Sequence, residues 1–268
     1  MNPIASFTYF NPRHFARNET GQIVSKEIEL PIYLDNMPLP DGLDALIVTS
    51  DLQGTVMEGG EHVLMGVKVP TVLLGILQDQ GIDPVQTGVF LCGDLYAHKR
   101  KRGGYGDVSG VWRAFNREFA WVAGVQGNHD HFGSKENKWS LVREKGINLL
   151  ENRVVELAGH KVAGVGLVIG NPQKPNRLTE ETYIRNLQHV LGQDPDWLIL
   201  HAAPYLDQKH LGEPAITEVL TQHHNPNMVV FCGHEPWEKS STVFANGVSF
   251  VNADERVIIF RASEIESN

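Results

Sequence analysis

Trp121-Val122-Ala123-Gly124-Val125-Gln126-Gly127-Asn128-His129-Asp130 is the stretch on which the fold turns. A short apolar run of the buried-strand kind, residues 121–125, stops at a glycine. An amide, an imidazole and a carboxylate follow at once. The same construction recurs on both sides. Residues 45–49 end at Ser50-Asp51, and residues 89–92 end at Gly93-Asp94. Residues 197–200 end at His201, and residues 228–231 end at Gly233-His234. Between the first of these runs lie helical patterns over 72–80 (starting just after Pro70), 111–119 and 135–145. Short apolar runs alternating with helices imply βαβ units and a largely parallel, buried sheet, so the class is α/β.

The flanking regions read differently. After residue 150 the pattern predicts a hairpin of 154–157 with 161–168, then helices over 180–191 and 215–223. It closes with a meander of 243–245, 248–251 and 257–260. Residues 1–43, with Pro31, Pro38 and Pro40, read as an N-terminal extension covering a main domain of residues 44–268, with one edge strand at 27–34. No repeat or Gly/Ser-rich linker divides that domain.

Composition narrows the function classes. The 268 residues are 41% hydrophobic and 21% charged, which excludes a disordered or fibrous chain. With 23 basic against 32 acidic residues the formal charge is -9, the wrong sign for a general nucleic-acid binder. Two cysteines, Cys92 and Cys232, cannot build a disulfide framework and read as small buried residues of a reducing compartment. No apolar block of signal-peptide or membrane-helix length is present, so the expectation is a cytoplasmic protein with no membrane partner. Gly164 to Gly170 has the wrong glycine spacing for a dinucleotide fingerprint and reads as a strand with close backbone packing.

Any one polar residue after a strand is most simply a turn or helix cap. Five such positions carrying only carboxylate, amide oxygen and imidazole are harder to explain that way. Imidazole is a poor cap, and oxygen with nitrogen donors suits Mn, Fe, Zn or Ni. Ligand sites of open α/β sheets lie beyond the carboxyl ends of strands, where all five stand.

The series Asp51-Leu52-Gln53-Gly54, Gly93-Asp94, Gly127-Asn128-His129-Asp130, His201 and Gly233-His234 resembles the calcineurin-like metallophosphoesterase family. The family pattern runs Asp-x-His, Gly-Asp, Gly-Asn-His-Asp/Glu, His, Gly-His-x-His, in this order. The resemblance covers residues 45 to about 260, and Gly-Asn-His-Asp is its most specific element. It implies a four-layer α/β/β/α sandwich of two mixed sheets flanked by helices. It also implies two divalent metal ions, Mn or Fe with Mg, Zn or Ni as alternatives. Asp94 would bridge them, and Asn128, His201 and His234 would complete the second site. Asp51 and Gln53 would serve the first. By the same resemblance His129 is the general acid at the leaving oxygen, and Asp130 holds the other nitrogen of that imidazole; the alternative for Asp130 is an N-cap of the helix beginning near Ser134 or Lys135. The implied activity is hydrolysis of a phosphate monoester or diester by a metal-activated water. The implied partner is a small phosphorylated substrate or nucleotide.

Two departures fall on the first metal. Gln53 stands where the pattern has histidine, and Pro236 stands where it has its last histidine. Glutamine offers an amide oxygen, and proline offers no side-chain ligand. The first site is therefore expected to be oxygen-rich and weaker than the second. Glu235, His98 and His131 are candidate replacements. The alternative reading is a non-catalytic or weakly active phosphate- or nucleotide-binding module with a decayed first site. Arg100, in the basic run His98-Lys99-Arg100-Lys101-Arg102, and Arg177, after the Gly170-Asn171-Pro172 loop, are candidate phosphate contacts.

Overall fold

The apolar run before Asp51 forms strand Ala45–Ser50, buried at every position. It is seen in a computed structural model that describes residues 2–17, 23–99 and 104–263, with side chains except at 12–17 and 23–25. A strand buried on both faces belongs inside a sheet covered on both sides. Its neighbours are Thr87–Leu91, parallel, and Arg256–Ala262, antiparallel. Among the described residues the sheet has nine strands. Their order is Ile147–Leu149, Trp121–Gly124, Thr87–Leu91, Ala45–Ser50, Arg256–Ala262, Ile23–Met37, Ala5–Arg17, Thr55–Glu58 and Glu61–Leu64. A second, six-stranded sheet runs Arg153–Leu157, His160–Val165, Trp197–Ala202, Val229–Gly233, Ser249–Asn252 and Ser241–Val243. Both sheets are mixed in direction.

The two-residue period of the strands sorts the core into layers. Ala45, Ile47, Val89 and Val122 face the helices Met65–Asp79, Ser109–Glu118 and Lys135–Leu141 through Leu73, Trp112 and Leu141. Leu46, Val48, Phe90 and Ala123 point the other way and meet Val162, Trp197, Ile199 and Phe231 of the second sheet. Leu198, Leu200 and Val230 of that sheet then pack against Tyr183 and Leu187 of helix Glu180–Leu191 and Ile216 and Leu220 of helix Pro214–Thr221. The protein is thus mixed α/β, with two large sheets flanked by helices. Among the described residues no helix is long and apolar enough to cross a membrane.

Three expectations from the sequence need correction. Residues 257–260 do not finish a meander, because Arg256–Ala262 leaves Ser249–Asn252 and enters the first sheet. Its Val257 and Ile259 face the helices while Ile258 and Phe260 face the second sheet, so both of its faces are apolar and only an interior slot covers them. Residues 27–34 are not an edge strand either. Ile23–Met37 lies between Arg256–Ala262 and Ala5–Arg17, with Leu30 and Ile32 fully buried. Finally, the helix expected after Pro70 begins at Met65 and contains that proline. Burial of Met65, Gly66, Val69 and Pro70 outweighs the backbone hydrogen bond that proline cannot make.

This topology sets up the site. The strands ending at Ser50, Leu91 and Gly124 are parallel, so their carboxyl ends share one edge of the first sheet. Those ending at Ala202 and Gly233 do the same in the second. Face-to-face packing brings the two edges together.

Candidate metal centre

Three residues just past those strand ends adopt left-handed backbone: Asp51 (φ 55°), Asp94 (φ 53°) and His234 (φ 69°). For residues with a Cβ this conformation costs on the order of 1–3 kcal/mol, and it concentrates where function demands a particular side-chain direction. The neighbouring glycines permit a close approach that no other residue would. A Cβ on Gly127 would run into the backbone nitrogen and Oδ1 of Asp94. A Cβ on Gly233 would run into Ser50 Oγ.

Donor atoms of Asp94, His201 and His234 lie within 4.8 Å of one another. That is near the spread imposed by one ion about 2.0–2.2 Å from each. Asn128 Oδ1 joins them, 3.2 Å from His201 Nε2. The orientation of His201 decides what this cluster can hold. Its Nδ1 lies 2.8 Å from the carbonyl oxygen of Cys92, an acceptor, so Nδ1 carries a hydrogen. In the neutral ring Nε2 is then a bare lone pair, facing Asn128 Oδ1 and, at 3.4 Å, Asp94 Oδ1. Asp94 Oδ1 also accepts from the His129 N–H at 2.8 Å, which leaves the His201 lone pair and Asn128 Oδ1 facing each other where a proton or a cation relieves them. The donor set therefore fits a divalent ion, with His201 oriented through its other nitrogen as metal-binding histidines usually are.

The electrostatics match. Burial alone would raise Asp94, but the charge and hydrogen bond of His201, with His129, hold it well below the usual carboxylate range. Burial works against charge on His201, yet Asp94 above all, then Asp51 and the Cys92 carbonyl, raise it to about 9. His234 is pushed down to about 3 by burial and by the neighbouring His201 charge, which leaves it a neutral donor.

The other oxygen of Asp94 faces Gln53, one of the two residues expected at the first site. Gln53 Nε2 donates to Asp94 Oδ2 at 2.6 Å, and the side chain is buried. Asp51 stands beside it, its Oδ2 accepting from Ser50 Oγ at 2.7 Å and from the His234 N–H at 2.8 Å. Burial, helped by the Asp94 charge, pushes Asp51 up to about 6 against the pull of His201 and these donors. Asp94 thus presents Oδ1 to one group of donors and Oδ2 to the other.

His129 and Asp130 are brought to the same place but not to each other as expected. His129 Nδ1 sits 2.6 Å from the Gly104 carbonyl oxygen, while Nε2 lies 3.8 Å from Asp94 Oδ2. The expected contact of Asp130 with that imidazole is therefore corrected, because its carboxylate is committed to backbone N–H groups. Oδ1 accepts from Leu95 and Tyr96, and Oδ2 accepts from Gly127. Burial and the Asp94 charge raise Asp130 to about 7, against those donors. It is not a helix cap either, since Ser134 caps Lys135–Leu141.

Arg177 lies near enough to His234 for its charge to act there, half-buried, and makes no ion pair with a carboxylate among the described residues. Arg100 lies outside the described residues. Of the candidate replacement ligands, His131 turns away, its Nδ1 accepting from Gly133 N and its ring 4.7 Å from that of Tyr105. Cys92 and Cys232 are buried and free.

One site residue escaped the sequence reading. Asp254, buried just past strand Ser249–Asn252, shares a side-chain hydrogen bond with Asp51. Burial, then the charges of Asp51 and Glu255, push it up to about 9, which favours one proton held between the two carboxyl groups. The available signal was its place just after the run that forms Ser249–Asn252, comparable to the positions that marked the other five.

A two-sheet α/β protein with oxygen and imidazole donors gathered beyond its strand ends is a protein built to hold divalent ions. The family model for calcineurin-like phosphoesterase matches residues 46–238, and the chain belongs to that family. No curated protein matches the sequence. Solved structures similar to it include the NAD nucleotidase NadN of Haemophilus influenzae, with 13% identity and a TM-score of 0.43. That alignment covers 78% of this chain and 50% of that one. The sulfate thiohydrolase SoxB of Thermus thermophilus has 12% identity and a TM-score of 0.38, covering 81% and 53%. A protein of unknown function from Aquifex aeolicus has 14% identity and a TM-score of 0.35, covering 80% and 95%. The chain spans about half the length of NadN and SoxB.

Proposed function

We propose that the protein is a metal-dependent phosphoesterase that hydrolyses a phosphate monoester or diester of a small molecule or nucleotide in the cytoplasm. The convergence of Asp94, Asn128, His201 and His234, with the His201 lone pair aimed inward, carries this reading. Two divalent ions, Mn or Fe first with Mg, Zn or Ni as alternatives, would supply charge neutralisation at the phosphoryl group and a hydroxide near neutral pH. Asp94 is the shared carboxylate. Asn128, His201 and His234 complete the tighter site, and Asp51 and Gln53 complete the weaker one. His129 moves a proton at Nε2 to the leaving oxygen, its ring held through Nδ1 on Gly104. Asp130 shapes the loop on which Asn128 and His129 stand. Arg177 binds a phosphoryl oxygen, the natural partner of a half-buried, unpaired guanidinium.

The test is hydrolysis of a panel of aryl phosphates and phosphodiesters by Mn-loaded wild type and Asp94→Asn. Turnover by wild type alone is expected, and equal background rates from both would end the proposal.

A second reading has one observation in its favour. The Gln53 amide points at Asp94 Oδ2, and Pro236 supplies no ligand. A binding module with one tight ion and no turnover would look the same there. Turnover that is abolished by Asn128→Ala counts against it.

A further inference from the structure

Arg177 opens a short returning strand, and the side chain of the residue before it ties that strand to the loop of Asn128 and His129; the backbone joins the two segments as well, the Leu167 N–H donating to the Gln126 carbonyl at 2.7 Å. The chain leaves strand Val168–Ile169, loops out, and returns as Arg177–Leu178, parallel to it. At the base of this loop the Gly170 N–H donates to the Leu178 carbonyl at 2.8 Å. Asn176, immediately before Arg177, is in left-handed backbone with φ 56°. Its Nδ2 donates to the Asp130 carbonyl at 2.6 Å and lies 3.4 Å from the Asn128 carbonyl. Both partners are acceptors, so only the amide nitrogen can face them. The Asp130 carbonyl also accepts from Gln126 Nε2 at 2.8 Å, which ties the start of the metal-ligand loop, just past strand Trp121–Gly124, into the same knot.

The residue type suits both demands. Asparagine tolerates the left-handed region and brings two donors. Glycine would meet the first demand and not the second, and aspartate would turn two donors into acceptors.

We propose that Asn176 is a positioning residue: its amide, clamped on the carbonyls of Asn128 and Asp130, sets where Arg177 reaches over the metal centre and so sets the affinity for a phosphoryl group. This rests on the reading of Arg177 as the phosphoryl contact. Strand pairing holds the Arg177 backbone against Val168, but without the Asn176 clamp the chain entering that strand would sample many positions, and each bound phosphate would have to order it.

The experiment is calorimetric titration of inorganic phosphate into Mn-loaded wild type, Arg177→Ala, Asn176→Gly and the double variant. Manganese affinity and thermal unfolding are measured alongside. Arg177→Ala should weaken phosphate roughly tenfold to a hundredfold. Asn176→Gly should weaken it about five- to tenfold with manganese affinity unchanged. In the double variant the second substitution should add less than about twofold, since a residue acting through Arg177 has nothing left to act on. Asn176→Asp, which tolerates the left-handed backbone but cannot donate, takes the place of the glycine variant if that protein does not fold. Wild-type affinity in Asn176→Gly, full additivity in the double variant, or lost manganese binding would each overturn the inference. Unchanged phosphate affinity in Arg177→Ala, or no phosphate binding by wild type, would instead overturn the reading of Arg177 on which it stands.

Discussion

Nε2 of His201 lies 3.4 Å from Oδ1 of Asp94, and both side chains are completely buried. Because the other ring nitrogen is spent on the Cys92 carbonyl, this pair can be satisfied in two ways only. A proton sits on Nε2 and makes an ion pair, or a metal ion sits between the two. Proton and metal therefore compete for one lone pair.

The pH dependence follows from that competition. The folded pKa of His201 is raised from 6.5 to about 9. In metal-free protein the proton's contribution to stability is fully present below pH 6.5 and is lost as pH rises through about 9. Metal binding runs the other way, since it needs the deprotonated ring. Between pH 8 and pH 6 the dissociation constant for manganese should rise about a hundredfold for one displaced proton. Titrations at both pH values check this, and a flat profile would refute it.

Removing Asp94, the carboxylate proposed to be shared, should be worse than removing any support for it. Loss of a residue that merely orients a ligand typically costs 10–100-fold in metal affinity. Asp94→Asn should therefore lower manganese affinity by more than about a hundredfold, as read by metal analysis after gel filtration. Retention of a full equivalent of metal would contradict the assignment.

Gln53→His puts an imidazole where the first site has an amide. The expected outcome is an increase in bound metal from about one ion per chain towards two, measured in protein purified without chelators. An unchanged count would mean that the Gln53 position does not face the first ion.

Gly127→Ala tests the close packing behind the ligands. Its Cβ would meet the Asp94 backbone, which cannot swing aside as a side-chain tip can. A loss of about 2–3 kcal/mol is expected in denaturant unfolding, with a shifted midpoint and an unchanged slope. A variant as stable as wild type would show that the two loops are not in contact.

Asp254 offers the sharpest electrostatic contrast. With its pKa raised to about 9, its proton is held far above the usual carboxylate range, so Asp254→Asn, which cannot titrate, should match wild type near pH 4 and already exceed it in stability at pH 7. Asp254→Ala leaves a buried Asp51 oxygen without its donor and should cost about 1–3 kcal/mol. The sign with pH is also fixed. Raised above the usual carboxylate value, Asp254 loses its contribution as pH climbs from about 4 through about 9. The advantage of the asparagine variant should therefore grow up to about pH 9 in unfolding experiments, and parallel pH profiles would argue against the shared hydrogen bond.

Much of this was legible in the chain. The short apolar runs that end at Asp51, Asp94, Asn128, His201 and His234 set both the parallel strands and the donor types, because strand periodicity and side-chain chemistry are local properties. The fate of residues 257–260 was not local. The same run suits a meander or an interior slot, and the slot between Ala45–Ser50 and Ile23–Met37 exists only once both are in place. The partners of Asp130 and Asp254 were hidden for the same reason. Sequence tells which atoms can accept a hydrogen bond, but which donors reach them depends on loops folding over a common edge. Amino-acid order by itself determined the α/β class and the carboxylates, amides and imidazoles available to a metal centre. Tertiary structure alone decided that Asp94 divides its oxygens between two groups, that His129 hangs on Gly104 and that Asn176 ties Arg177 to the site. Those facts depend on ångström distances between segments tens of residues apart, which only packing of the two sheets sets.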